Sequence, residues 1–114
     1  MKVIVTGGRN FTDVNLVWEV LSDINPTLII HGKCKGADTF ASEYAELNGI
    51  EEKKYPYPSE HGRAGGPIRN KQMIDENKDA MLLSFPGGAG TKNCTDYAKS
   101  IGMCVIYVGL RWKS

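Results

Sequence analysis

The chain has 114 residues, of which 41% are hydrophobic and 24% charged, and its formal net charge is +1. These values predict one soluble globular domain over residues 1–114, which buries roughly two-thirds of its unfolded surface. The nearly neutral charge excludes attachment to nucleic acid or a membrane by bulk charge alone, and no apolar run approaches the roughly eighteen residues that cross a bilayer.

Strand-like and helix-like patterns alternate along the chain. A β-branched run over 2–6 predicts a buried first strand, and helically spaced apolar residues follow the Thr12-Asp13 cap as far as Asn25-Pro26. The remaining predicted elements are a strand over 28–31, a helix over about 37–48, an edge strand over 50–55, a helix over about 67–76, a strand over 80–85, a helix opened by Thr91 and a strand over 103–108. The inner face of the last helix is predicted to hold Cys94, Tyr97, Ala98 and Ile101.

This alternation predicts an α/β fold in which a parallel sheet is covered on both faces, with ligands bound beyond the carboxyl ends of the strands. Most of the 13 glycines lie in the four segments that follow the first four strands. The loops at the opposite ends of the strands hold only Gly49 and Gly102. Glycines that served only tight turns would be distributed more evenly between the two ends of the strands. The asymmetry therefore predicts a functional site at the carboxyl edge of the sheet.

Half of the 14 basic residues lie in or beside the same four segments: Arg9, Lys33, Lys35, Arg63, Arg69, Lys71 and Lys92. Few acids accompany them, so this edge is predicted to be positive and to bind an anionic small molecule. The alternative is an ordinary solvated rim of loops.

The segment from Ala80 to Thr91 gives the most specific prediction. An apolar strand there ends at Pro86, a glycine-rich turn follows, and Thr91 opens a helix. Such a turn brings free backbone N–H groups and the positive end of a helix dipole to one place, which suits a phosphate. At Gly88 we expect a glycine required either by close approach of the ligand or by a positive φ.

Three titratable residues near this edge have alternative roles. Asp38 either caps the second helix or accepts hydrogen bonds from a ribose hydroxyl or a base amine. His31, at the end of a buried strand, is expected to be a hydrogen-bonded core residue, and His61 is a lone loop histidine. The Cys34/His31 pair offers too few ligands for a metal, so no metal and no cofactor are expected. Three cysteines without paired spacing favour a reducing, cytoplasmic compartment.

Four glycine-containing motifs stand in a fixed order: Gly7-Gly8-Arg9, His31-Gly32 with Gly36-Ala37-Asp38, Ala64-Gly65-Gly66-Pro67 with Arg69-Asn70, and Pro86-Gly87-Gly88-x-Gly90-Thr91. Together they resemble the SLOG superfamily of Rossmann-like proteins, in particular its small YspA-like branch. The resemblance implies a three-layer sandwich with a five-stranded parallel sheet of order 3-2-1-4-5, and a nucleotide or nucleotide-derived ligand. We expect this ligand to be bound by Gly7, Gly8, Arg9, Gly32, Gly36, Ala37, Asp38, Arg63, Gly65, Gly66, Arg69, Asn70, Pro86, Gly87, Gly88, Gly90 and Thr91.

The same superfamily offers two kinds of function. Its phosphoribohydrolases continue the Gly-Thr motif into a catalytic glutamate pair, where this chain has Asn93 and Cys94, so a carrier for acid–base chemistry is missing there. Other SLOG domains sense ADP-ribose-like signals, which implies a sensor or a sequestering sponge. An enzyme that cleaves a glycosidic or phosphate bond through Asp38 or His61 is the alternative. Nucleic acid is not an expected partner, because an interleaved basic and aromatic surface is lacking.

Aromatic residues on the outer helices predict self-association. Trp18, Tyr97 and Trp112 leave apolar surface that the predicted domain does not cover. Such surface favours a homodimer or a larger symmetric oligomer.

Overall fold

The computed structural model describes residues 1–58, 62 and 64–109. Its elements are β1 (Lys2–Thr6), α1 (Val14–Ile24), β2 (Leu28–His31), α2 (Ala37–Asn48), β3 (Glu51–Lys54), α3 (Gly65–Asp75), β4 (Met81–Ser84), α4 (Ala89–Ser100) and β5 (Val105–Tyr107). All paired strands are parallel and the order is β3-β2-β1-β4-β5, which confirms the predicted α/β class and topology.

Two helices cover each face of the sheet. Alternate residues of a strand point to opposite faces, so Val3 and Val5 of β1 pack under α1 and α2, whereas Ile4 packs under α3 and α4. All three side chains are fully buried. The chain runs from β1 outward through β2 to β3, and then crosses to β4 and β5 on the other side. The strand order therefore reverses between β1 and β4.

In the first half of the fold the element boundaries match the predicted ones closely, because cap residues mark the ends of the helices. Asp13 caps α1 by accepting a hydrogen bond from the backbone N of Leu16 at 3.1 Å, and Asn25 ends that helix in the left-handed conformation with φ 54°. Gly49 ends α2 in the same way, with φ 64°. The acid- and lysine-rich β3 lies at the sheet edge, as predicted.

Two helices begin earlier than predicted. Helix α3 starts at Gly65 rather than Pro67, and α4 at Ala89 rather than Thr91. Glycine has low helix propensity and was therefore interpreted as part of the preceding turn, but in both helices it lies in the first turn. The prediction for Ile101 was wrong, because α4 ends at Ser100 and leaves this side chain 39% exposed.

Two of the three aromatic residues that were expected to leave uncovered apolar surface make contacts within the chain. The Nε1 of Trp18 donates to the carbonyl of Phe40 at 3.0 Å, and its ring packs edge-on against Tyr44. The hydroxyl of Tyr97 donates to Asp75. Trp112, the third, lies outside the described residues. Within the described ranges, no helix is long and apolar enough to cross a membrane.

Candidate functional site

A cleft of about 1090 Å³ opens at the carboxyl edge of the sheet, where the strand order reverses. This volume is at the upper end of the range for small-molecule sites, and the position is the one at which α/β sheets bind ligands. Of the predicted site residues, the cleft is lined by Gly7, Gly8, Arg9, Gly32, Asp38, Gly66, Arg69, Asn70, Pro86, Gly87, Gly88, Gly90 and Thr91. Gly36, Ala37 and Gly65 are buried and do not line it, and Arg63 lies outside the described residues.

The first turns of α3 and α4 both line this cleft, through Gly66 and Pro67 and through 89–91. The first N–H groups of a helix have no partner within that helix. Within the described part of the chain, no side chain caps α3 or α4, whereas Asp13 caps α1, whose first turn does not line the cleft. Uncapped N-termini leave donors and positive helix-dipole ends available to an anion.

Four glycines hold the loops of the cleft together by close packing. A Cβ at Gly7 would lie 2.7 Å from Cβ of Ala37, and one at Gly8 would lie 2.8 Å from Cα of Gly87. Gly36 has φ +85°, and a Cβ there would lie 2.1 Å from the carbonyl oxygen of Gly8. The N–H of Gly8 donates to the carbonyl of Pro86 at 2.9 Å. The loops after β1 and β4 are thus fastened together, and these glycines serve that contact.

Gly88 and Gly90 have a different environment. A Cβ added at either residue would meet no atom of the described residues within 4 Å, although both residues line the cleft. Gly88 has φ −102°, so the expectation of a positive φ was wrong. Neither a positive φ nor packing against the described residues explains a glycine at these two positions. The open space above them lies beside the uncapped first turn of α4.

Asp38 is buried in the cleft wall and does not cap its own helix. Its Oδ2 accepts hydrogen bonds from the backbone N of Gly32 at 2.9 Å and of Cys34 at 3.4 Å, while the N-cap of α2 is Gly36. Burial raises the pKa of the Asp38 carboxyl, although those N–H groups and the Arg69 guanidinium act in the opposite direction. The capping interpretation was therefore wrong.

Arg69 binds backbone carbonyl groups rather than projecting freely. Its Nη1 donates to the carbonyl oxygens of Gly32 at 2.7 Å and Tyr55 at 3.1 Å, and its Nε donates to Oδ1 of Asn70 at 2.9 Å. The guanidinium thereby connects the ends of β2 and β3 to α3. Most of its donors are engaged, which leaves little capacity for a bidentate phosphate clamp.

Among the described residues, fewer basic side chains line the cleft than the sequence predicted. Lys71 forms an ion pair with Asp75 at 2.8 Å, and Lys92 with Asp96 at 2.6 Å, each along one turn of its own helix. Lys33 and Lys35 are exposed and do not line the cleft. Among the described residues, the cations that line it are Arg9, which is exposed, and Arg69.

His31 is a core residue, as predicted. It is 1% exposed, and its Nδ1 accepts a hydrogen bond from the backbone N of Lys33 at 2.9 Å. A backbone N–H can only donate, so the ring proton lies on Nε2, which donates to Oε1 of Glu52 at 2.5 Å. Both ring nitrogens are engaged, and neither is available for acid–base chemistry. His61 lies outside the described residues.

The cleft also contains residues that the motifs did not indicate. Phe11 packs against Phe85 with ring centroids 5.7 Å apart, and Tyr57 is 47% exposed and donates to the carbonyl of Gly62. Aromatic walls of this kind can stack with a base. Asn93 also lines the cleft. The sequence does contain a signal for Phe11 and Tyr57, because each is an aromatic residue in a loop that follows a strand.

Groups of three or more His, Cys, Asp or Glu side chains arranged to hold a metal do not occur in the described part of the chain. The thiol of Cys94 is fully buried, and burial raises its pKa to about 11. It is a packing residue of α4 rather than a nucleophile.

Comparison with known proteins gives two findings. The model of the YspA, cpYpsA-related SLOG family (YAcAr) matches residues 1–58. The Gene 61 protein of Mycobacterium phage D29 is 31% identical over 123 aligned residues, which cover 95% of this chain and 96% of that protein. The family match includes the loops after β1 and β2, and the alignment with the phage protein extends over nearly the whole chain. The chain belongs to the YspA, cpYpsA-related SLOG family.

Proposed function

We propose that this protein binds a phosphorylated nucleotide derivative, with a phosphate at the N-terminus of α4 above Gly88 and Gly90. The observation that carries the proposal is the open backbone of these two glycines beside an uncapped helix end in the cleft at the carboxyl edge of the sheet. Backbone N–H groups and a helix dipole together suit an anion, and Thr91 adds a hydroxyl that lines the same cleft.

The rest of the cleft suits a nucleoside. Asp38 offers a carboxylate to a sugar hydroxyl or a base amine, and Phe11 and Tyr57 offer aromatic faces to a base. Family membership supports a nucleotide-related ligand at this coarse level. An ADP-ribose or NAD-derived signal is the compound we propose to test first, and a sensor or a sequestering sponge is the role we propose. The three free cysteines favour a reducing cytoplasm, which cell fractionation would test.

One observation favours a second function, cleavage of a nucleotide's glycosidic bond. Asp38 is buried in the cleft with a raised pKa, so it retains a proton closer to neutral pH than an exposed carboxyl does. Against this, its Oδ2 already accepts two backbone hydrogen bonds. Where the phosphoribohydrolases have their glutamate pair, this chain has Asn93 and Cys94, and the amide of Asn93 exchanges no proton near neutral pH.

Calorimetry with ADP-ribose, AMP and adenosine in one buffer tests the binding proposal. We expect both phosphorylated compounds to bind at least about tenfold more tightly than adenosine, which corresponds to roughly 1.4 kcal/mol. Equal affinities for AMP and adenosine, with ADP-ribose no tighter, would refute the phosphate site.

Chromatography of the denatured mixture then distinguishes a binder from an enzyme. A binder returns the ligand intact. Free base or ribose phosphate in molar excess over the protein would show turnover, and Asp38→Asn should then abolish the product.

A further inference from the structure

Three side chains form a hydrogen-bonded chain along one wall of the cleft. Nε of Arg69 donates to Oδ1 of Asn70 at 2.9 Å. Nδ2 of Asn70 donates to Oδ1 of Asn93 at 3.1 Å and to the carbonyl of Gly90 at 3.3 Å. Asn70 is 4% exposed, so this chain is held at its centre by a buried residue.

The two ends of the Asn70 amide face groups of fixed polarity. A guanidinium can only donate, so the Asn70 atom that faces Arg69 must be the oxygen. A backbone carbonyl can only accept, so the atom that faces Gly90 must be the nitrogen. Both constraints give the same orientation, although the two ends of an amide have nearly the same shape.

This orientation also determines which way the Asn93 amide is turned. The NH₂ of Asn70 has no acceptor capacity, so the Asn93 atom that faces it must be Oδ1. Nδ2 of Asn93 then remains with its two N–H donors, and it has no protein partner among the described residues. Asn93 is exposed and lines the cleft.

We propose that Asn93 determines ligand specificity as a donor of fixed polarity, and that its Nδ2 donates to a phosphate oxygen bound at the first turn of α4. The proposal rests on the proposed function, because it assigns this residue to the same phosphate site. A free amide can turn either end toward a ligand, whereas the contacts of Arg69 and Asn70 fix the orientation of the Asn93 amide and leave its NH₂ group without a protein partner among the described residues. The site therefore selects a ligand with an acceptor at this point.

The test compares Asn93→Asp with Asn93→Ala, using AMP and adenosine as probes in calorimetry. Asp keeps an oxygen that can accept from Asn70 but has no donor, and it is charged, so we expect it to be the weakest AMP binder. Ala removes one donor to a charged group, and we expect roughly a tenfold loss of AMP affinity. Lys92→Gln is the control for charge, because it also lowers the formal charge by one, is the adjacent residue and does not line the cleft.

The order of the variants distinguishes the two roles of Asn93. If Asn93→Asp binds AMP like the wild type while Asn93→Ala is impaired, the residue only supports Asn70 and the inference is overturned. It is also overturned if Lys92→Gln loses as much affinity as Asn93→Asp, or if neither Asn93 variant differs from the wild type. A wild type that binds neither AMP nor ADP-ribose better than adenosine refutes the phosphate site itself, and with it this inference. Thermal melts of the unliganded variants should match the wild type within a few degrees.

Discussion

Gly87 and Gly88 are neighbours in one turn, and we expect opposite results when each is replaced by alanine. A Cβ at Gly87 would lie 2.2 Å from Oγ1 of Thr91 and 2.6 Å from the backbone N of Gly8, whereas one at Gly88 would meet no atom of residues 1–58, 62 and 64–109 within 4 Å. Overpacking against backbone costs about 1–3 kcal/mol, which corresponds to a fall in melting temperature of roughly 4–12 °C for a domain of this size.

At Gly88 the opposing effects on stability nearly cancel. Alanine at negative φ restricts the unfolded chain and stabilises the fold by about 0.4–1 kcal/mol, but it is a poorer N-cap than glycine. We therefore expect a net change within about 0.5 kcal/mol of zero. The added methyl group occupies the open space beside the first turn of α4. Loss of one charge-assisted hydrogen bond there costs about 1.5–3 kcal/mol, so phosphate affinity should fall at least tenfold.

The assay pairs a thermal melt with calorimetry on the same samples. Gly109→Ala is the matched control, since a Cβ there also meets no atom of the described residues within 4 Å and the residue does not line the cleft. We expect the Gly109 variant to behave as the wild type in both measurements. A Gly88→Ala protein that melts normally and binds AMP with wild-type affinity would remove the turn after β4 from the site.

Three further predictions concern stability, reactivity and assembly. Burial raises the Asp38 pKa, so the contribution of this carboxyl to stability is complete below its unfolded-state pKa and is lost as pH rises through its folded-state pKa. The wild type should therefore gain stability relative to Asp38→Asn as pH falls. A stability difference between the two proteins that does not depend on pH in denaturant melts would contradict this. Thiol reagents should modify the exposed Cys104 in the native protein and leave Cys94, with a pKa of about 11, unmodified until unfolding; mass spectrometry before and after denaturation measures both. Homo-oligomerisation remains a prediction, now supported by Tyr107, which is 61% exposed at the sheet edge; light scattering that shows a monomer at micromolar concentration would contradict it.

The sequence predicted correctly those elements whose ends are determined by residues close to them in the chain. The β-branched run of β1 and the caps Asp13 and Gly49 depend on neighbouring residues, and the corresponding boundaries agree with the structure. The strand order followed from the family resemblance. The starts of α3 and α4 were placed two residues late, because glycine in a first helical turn has the same local pattern as glycine in a loop.

The roles of single site residues depend on contacts that are distant in sequence. Arg69 donates to Gly32, 37 residues away, and the same guanidinium acts to lower the pKa of Asp38, which burial raises. A sequence pattern gives each residue's chemistry but not its partners, so both were assigned to the ligand without the competing backbone contacts. The same limit explains the overestimated charge, since Lys71 and Lys92 each have an acid four residues later on their own helix.

The last prediction follows from that smaller charge and concerns salt. Among the described residues of the cleft, Arg9 is the cation without an ion partner, and Arg69 is bound to carbonyl groups. Attraction of a phosphate then depends mainly on the backbone N–H groups and dipole at the start of α4, which act at hydrogen-bonding distance. Contacts at that distance are screened much less than exposed charges separated by a Debye length of about 10 Å at 0.1 M salt. We therefore expect AMP affinity to change only a few-fold when sodium chloride is raised from low to moderate concentration in calorimetry, and Arg9→Gln to reduce even that dependence. A steep loss of affinity with salt in the wild type, retained in Gly88→Ala, would show that side-chain cations rather than the turn hold the phosphate.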